Sequence, residues 1–281
     1  EHETTLANIA KYEDILNNYD SMAQVIIDDL DALKKEYAVK RKTKIENAEE
    51  AVFEENKVQE QEVVLLMDRF GYAKTVDGSV YERNREAADK ENKYILRCMN
   101  TGKLCLFTSD GKMHQIKVMD LPYGKFRDKG FPIDNVSNFD STKEEIVYLC
   151  DDRELFFSKF LFATKQGMIK KVAGSEFQVT KRTIAATKLQ DEDALVSIQP
   201  IRDVQDVVLM TENGFVLRFP AEEVSEKKKG AVGVRDMNDS VEEVYLFEEG
   251  TENKVIFHEK EVTLNRLKRA KRDGTGTRMR K

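Results

Sequence analysis

Residues 207–235 read VVLMTENGFVLRFPAEEVSEKKKGAVGVR. An apolar strand, a Thr-Glu-Asn-Gly turn and a second alternating strand lead into a basic, glycine-containing corner. Asn213-Gly214 between two strand-like runs predicts a two-residue hairpin turn with positive φ at both central positions. The pattern recurs. Residues 104–118 (LCLFTSDGKMHQIKV) and 160–172 (FLFATKQGMIKKV) repeat the strand, the Thr-x-x-Gly turn and the strand. Residues 63–76 (VVLLMDRFGYAKTV) keep the glycine but are read with Met67 in the threonine's place, and residues 255–266 (VIFHEKEVTLNR) with Glu261 in the glycine's place. The anchors Gly71, Gly111, Gly167, Gly214 and Glu261 recur every 40 to 56 residues. That period belongs to blade arrays, in which each unit buries its apolar face only against its neighbours. The expected fold is mainly β, about five four-stranded blades in a ring or spiral.

The 281 residues suffice for one large domain or two ordinary ones. Charged residues make up 35% and mean hydropathy is -0.57, which predicts a soluble protein. No apolar run reaches membrane-span length, and no signal peptide opens the chain. Glu1 is unlike a natural start, so a fragment is expected. Cys98, Cys105 and Cys150 lie in or beside apolar runs and read as buried thiols. His2, His114 and His258, far apart and without a Cys-x-x-Cys, give no zinc pattern. The net charge of -6 conceals an asymmetry: residues 1–62 hold 8 basic and 16 acidic side chains, residues 63–281 hold 38 and 36.

Apolar spacing at Leu6, Ile9, Ala10, Ile15 and Leu16 predicts a helix over 3–17, and Met22, Val25, Ile26, Leu30 and Leu33 predict a second over 21–37. Asp20 or Ser21 is the expected cap between them. The acidic, apolar-poor stretch that follows reads as a linker, and the strand pairs begin at Val63.

A basic cluster follows each anchor at nearly the same distance. The clusters are Arg83 and Arg85; Lys125, Arg127 and Lys129; Lys181 and Arg182; Lys227, Lys228 and Lys229 with Arg235; and Lys268, Arg269, Lys271 and Arg272. Equivalent positions on successive blades share one side of an array, so the clusters predict a positive rim. Duplex DNA carries a charge about every 1.7 Å along its axis, and a curved basic rim can hold it by its phosphates without reading base edges. A charge run is also what an ordinary solvated face looks like, and Asp128 and Glu226 are interspersed. Phe107, Phe162 and Phe219 read as core aromatics.

The helix pair, Arg41-Lys42-Thr43-Lys44-Ile45, the acidic linker and repeats such as ATKQGMIKKV and LMTENGFVLRF resemble the C-terminal part of the A subunit of bacterial type IIA topoisomerases, the family of gyrase A and topoisomerase IV A. The resemblance covers essentially the whole chain. It implies that residues 1–45 end the helical tail of the breakage-reunion domain, 46–60 are the linker, and 61–281 form a β-pinwheel, a propeller variant with strands exchanged between blades. It further implies a homodimer of A subunits working with an ATPase B subunit on double-stranded DNA, with ATP and Mg²⁺ used in the holoenzyme and none held by this piece. The setting would be the bacterial cytoplasm, at the nucleoid. The family's nucleophile is a tyrosine after an arginine. None of the nine tyrosines follows one, and there is no G-x-x-x-x-G-K-[ST] loop, so the piece is expected to be non-catalytic.

Gyrases also carry a glutamine-arginine-arginine-glycine-glycine-lysine-glycine box in the first blade's corner. Here that corner is Tyr81-Glu82-Arg83-Asn84-Arg85-Glu86-Ala87, and the nearest approach to the box is Ala270-Lys271-Arg272-Asp273-Gly274-Thr275-Gly276. The departure favours topoisomerase IV-like positioning of DNA over gyrase-type wrapping. A protein-binding blade scaffold is the competing reading; the absence of tryptophan counts against the commonest kind. A propeller enzyme would need convergent carboxylates or histidines in a central channel.

Overall fold

The computed structural model describes residues 1–43 and 59–279, and the chain divides into two compact units, residues 1–56 and 57–281. Most of the expected acidic linker lies outside the described residues. No described helix is long and apolar enough to cross a membrane.

The first unit holds helices α1 (His2–Asn17) and α2 (Tyr19–Tyr37). The cap between them is Asn18, whose side chain accepts the Asp20 amide at 3.1 Å, rather than Asp20 or Ser21. Asn18 alone takes an extended backbone, so α2 starts two residues earlier than the apolar spacing marks. Neither helix buries a residue within the described chain; Leu6, Ile9, Leu16, Ile26 and Leu30 are all exposed.

The second unit repeats one plan. Five inner hairpins follow in order: Glu62–Asp68 with Tyr72–Asp77, Lys103–Thr108 with Lys112–Lys117, Lys159–Thr164 with Met168–Ala173, Gln205–Thr211 with Phe215–Pro220, and Lys254–Phe257 with Lys260–Thr263. Each of the first four gains a flanking strand: Asn92–Met99, Ile146–Asp151, Leu195–Ile201 and Val241–Glu248. The fourth strand of each sheet arrives from beyond the next hairpin. There the chain runs back and lays Phe131–Pro132, Thr183–Ala185, Val234–Arg235 or Thr277–Arg278 on the preceding blade. This is the strand exchange of a β-pinwheel. Among the described residues the fifth blade has two strands rather than the expected four.

Exchange explains why the inner strands are unbroken apolar runs: both faces are covered. Along the first strand of the third blade, Phe160 and Phe162 pack toward the second blade while Leu161 and Ala163 pack toward the fourth. Val207 and Leu209 face the third blade and Val208 and Met210 the fifth. Phe107, Phe162 and Phe177 form one aromatic cluster with centroids 5.2–6.1 Å apart, and Phe219 is fully buried, as expected of core rings. The three cysteines are free and buried. Among the described residues no blade precedes the first. Its outer face, Val64, Leu66 and Val76, is covered by Tyr81 and Ala88 of two short helices, α3 (Gly78–Arg83) and α4 (Arg85–Glu91). Among the described residues no apolar cluster joins the fifth blade to the first.

The turns depart from the sequence reading in three ways. Asn213 does not take positive φ; only Gly214 does, at +78°, with its amide donating to the Thr211 carbonyl at 2.8 Å. Gly71, Gly111 and Gly167 behave alike, at +77° to +82°. This is the longer loop, a tight turn closed by a left-handed glycine. The threonine slot of the first hairpin is held by Asp68, not Met67. Its carboxylate accepts the Tyr72 amide at 3.0 Å, the part played by the Thr164 hydroxyl for Met168 at 3.2 Å and the Thr211 hydroxyl for Phe215 at 3.1 Å. Glu261 is not a turn residue. The fifth hairpin turns at His258-Glu259, both at positive φ (+47° and +64°), in a shorter loop that needs no glycine, and Glu261 pairs with Ile256 in the strand.

Candidate nucleic-acid interface

The returning segments create the corners. Each leaves an inner hairpin, bends, and runs beside the fourth residue after the anchor glycine of the preceding blade. Parallel bridges join Thr75 to Tyr123, Lys171 to Glu226 and Arg218 to Arg269. Two residues beyond each bridge the chain makes a four-residue turn: the amides of Asp128, Ala231 and Gly274 donate to the carbonyls of Lys125, Lys228 and Lys271 at 3.0–3.1 Å. The first residue of every such turn is a lysine. A glycine follows where the strand meets the preceding blade. A Cβ on Gly130 would lie 2.7 Å from the Ala73 carbonyl, and one on Gly233 2.7 Å from the Ile169 backbone. The strand end is then tied to the anchor itself: Ile133, Ala186, Asp236 and Met279 donate their amides to the carbonyls of Gly71, Gly111, Gly167 and Gly214 at 2.8–2.9 Å.

Three of the four corners are thus superimposable in their bonding. The corner on the second blade is shorter, with the Gln115 amide donating to the Arg182 carbonyl at 2.7 Å and the Gln115 side chain to the Val179 carbonyl at 2.8 Å.

The sequence-marked cations divide into two groups. Lys125, Arg127, Lys129, Lys181, Arg182, Lys227, Lys228, Lys268 and Lys271 lie exposed in corners, with no carboxylate partner within ion-pair distance among the described residues. Others are engaged inside the fold. Lys229 donates its Nζ to the Glu176 carbonyl at 2.6 Å and its amide to the Glu176 carboxylate at 2.9 Å. Arg269 pairs with buried Asp206 at 2.8 Å, and Arg272 with buried Asp236 at 3.2 Å. Arg235, on the exchanged strand, is exposed and reaches the Gln190 side chain at 3.4 Å. Arg83 and Arg85 keep the expected distance from their anchor but sit on α3 and α4, where Arg85 pairs with Glu82 at 3.7 Å and Asp89 at 3.9 Å. That stretch covers the first blade instead of forming a corner.

The interspersed acids have identifiable work. Asp128 accepts the Lys125 amide at 2.7 Å and closes its own turn, and Glu226 pairs with Lys159 at 2.8 Å.

Beneath the corners lies a set of polar side chains, His114, Lys170 and Arg218 buried and Lys74 half-buried, that composition does not reveal. At the third residue after the anchor stand Lys74, His114 and Lys170. Lys170 is 1% exposed and donates to the carbonyls of Lys229 at 2.7 Å, Ala231 at 2.6 Å and Lys228 at 3.4 Å. Lys74 donates to those of Phe126 at 2.5 Å and Asp128 at 2.9 Å. His114 takes the Glu144 carboxylate at 3.1 Å and the Thr183 hydroxyl at 3.0 Å. One residue on, Arg218 pairs with Asp206 at 2.7 Å and donates to the carbonyls of Asn265 at 2.8 Å and Leu267 at 3.0 Å. The available signal was a charged residue breaking an apolar strand at a fixed offset from the glycine. Burial raises the thiols of Cys98 and Cys105 to about 12, far from nucleophilic use at neutral pH.

The family model described as DNA gyrase C-terminal domain, beta-propeller, matches residues 158–202 and 205–243, the third and fourth blades. The DNA gyrase A subunit of Lawsonia intracellularis is 30% identical over 240 residues, covering 81% of this chain and 29% of that protein. The DNA topoisomerase 4 A subunit of Staphylococcus epidermidis is 29% identical over 248 residues, covering 85% of this chain and 31% of that protein. The chain therefore spans less than a third of the length of these relatives. In fold it matches the crystal structure of the C-terminal domain of DNA topoisomerase IV with a TM-score of 0.69 at 24% identity, over 78% of this chain and 73% of that one. The E. coli ParC C-terminal domain matches with a TM-score of 0.62 at 16% identity, over 78% and 94% of the two chains.

Proposed function

We infer that this chain, a C-terminal region of the A subunit of a bacterial type IIA topoisomerase, binds duplex DNA through the phosphates along its exposed basic corners and positions it for strand passage. The observation that carries the reading is the equivalence of the corners. An exposed, unpaired lysine opens the turn at the same place in three of the four corners, Lys125, Lys228 and Lys271, and the shorter corner between them exposes Lys181 and Arg182. Ladders and turns of this kind offer phosphates charge and backbone amides, with nothing shaped to a base edge, so binding is independent of sequence.

Topoisomerase IV-like relaxation or decatenation is favoured over gyrase-type wrapping. The stretch where a gyrase carries its glycine-rich box is folded into α3 and α4, and the last corner keeps two glycines but contains Asp273. A carboxylate there opposes close approach of a phosphate. In the intact enzyme the A subunits pair and work with an ATPase B subunit in the bacterial cytoplasm, and ATP and Mg²⁺ are held elsewhere in that assembly.

Duplex affinity measured over a salt series tests the reading. The logarithm of the binding constant should fall by about 0.9 per phosphate contact for each decade of salt. Replacing Lys227 and Lys228 by Glu should weaken all duplex sequences alike. Affinity that ignores salt, or a variant that binds as the parent does, would overturn it.

A further inference from the structure

We propose that Lys170, which is buried, and Lys74, which is half-buried, are positioning residues that hold two basic corners in the shape that meets phosphate. The inference rests on the DNA-binding reading of those corners and extends it to residues beneath them. Both lysines occupy the third position after the anchor glycine of their hairpins, and the two corners are equivalent residue for residue. In each corner the ammonium takes the carbonyls of the turn's second and fourth residues: Phe126 and Asp128 for Lys74, Lys229 and Ala231 for Lys170. Lys170 adds the first, Lys228.

An ammonium has three donors and no acceptor, so a turn whose carbonyls converge on it is fixed from one side. The carbonyls then point into the blade. On the other side, the amides of Arg127 and Gly230 at the turns' third residues make no hydrogen bond among the described residues, and Lys125, Arg127, Lys227 and Lys228 stand exposed around them. Burial of a lysine is costly, and a leucine at this position would pack the strand without that cost. Leu217 shows as much: it fills the slot in the fourth hairpin, where the corner is tied by Arg218, Arg269 and Arg272 to carboxylates and carbonyls instead. Lys170 also lies 5.5 Å from the Phe162 ring, a further contact that suits a retained cation.

The test is Lys170→Met, with Lys74→Met as an independent variant in another blade should the first fail to fold. Amide hydrogen exchange comes first, because it needs no DNA. The amides of Lys227, Lys229 and Ala231 should exchange about tenfold faster in Lys170→Met, the fold-change expected for losing charge-assisted hydrogen bonds, while strands of the first two blades stay protected. Gly124 and Asp128 should respond in the same way to Lys74→Met. Duplex affinity should drop several-fold with the salt slope unchanged, whereas Lys228→Gln should lower that slope by about 0.9. Unaltered exchange at the corner, or a slope that falls as it does for a direct contact, overturns the proposal. If the parent chain fails to bind duplex at all, the DNA reading falls, and the exchange data still decide whether the lysines hold the turns.

Discussion

The Gly167 carbonyl accepts the Asp236 amide at 2.9 Å. The residue that turns the third hairpin is therefore also the residue that secures the strand sent back from the fourth. Two demands meet there: φ of +77° for the turn, and room for the incoming chain, since a Cβ would lie 2.4 Å from the Met237 carbonyl. Gly214 has the same backbone at +78° but open space around it.

Gly214→Ala should accordingly cost about 1–2 kcal/mol, the penalty for a left-handed alanine, and Gly167→Ala clearly more. Urea unfolding midpoints of the two variants compare them directly. Equal losses would show that the return strand yields without penalty.

Asp206 accepts from both Arg218 and Arg269 and is fully buried, as is most of Arg218. Asp206→Ala should destabilise the fold by about 3–5 kcal/mol, because it leaves the Arg218 guanidinium buried without its counter-charge. In Asp206→Leu with Arg218→Met, the loss should be well below the sum of the single changes. Chemical denaturation of the four proteins of that cycle provides the check.

Burial raises the Asp236 carboxyl to about 7, against the opposing pull of Arg272 and with Asp273 and Glu223 adding to the rise. Between the ordinary carboxylate value near 4 and about 7, the folded chain holds a proton that the unfolded chain has released. Folding stability from this group is therefore present at low pH and lost as pH rises through 7. Asp236→Asn should flatten that part of the profile, as read from thermal midpoints between pH 5 and 8.

Lys170 is displaced in the other sense. Burial lowers its ammonium to about 8, with Glu176 opposing. From about 8 to the ordinary lysine value near 10.4, the unfolded chain binds the extra proton, so this group favours folding increasingly as pH rises through that window. The groups around it are Glu176, the Phe162 ring and the Lys228–Ala231 turn, with Lys229 itself bonded to Glu176. Raising pH past 8 should loosen the corner, seen as faster amide exchange at residues 227–231 after correction for intrinsic base catalysis. The same rise should bring no loss of global stability from this group. Corner protection that stays constant from pH 7 to 9 would contradict it.

Local patterns were legible because local physics fixes them. The Thr-x-x-Gly units announced the hairpins, since only a residue tolerant of positive φ closes that turn, and the recurrence of the unit announced blades. The apolar runs announced strands that bury a face against neighbouring units, and Phe107, Phe162 and Phe219 were recognisable as core. Asp68 escaped notice because a carboxylate can accept the same amide as a threonine hydroxyl. The fifth turn was misplaced because His258-Glu259 adopt a conformation ordinarily associated with glycine or asparagine.

What the chain's order alone determined, then, is the repeating hairpin, its apolar strands and the recurrence of positive charge behind each turn. Tertiary structure decided which of those charges stand free. Arg269 and Arg272 are held by Asp206 and Asp236, acids 63 and 36 positions earlier in the chain, and Arg83 and Arg85 lie on helices that cover the first blade's otherwise bare face. Lys74 and Lys170 acquire their partners only when the returning strand brings carbonyls over them. Strand exchange brings residues far apart in sequence into contact, and the partner of a charge is set by that geometry rather than by its neighbours along the chain.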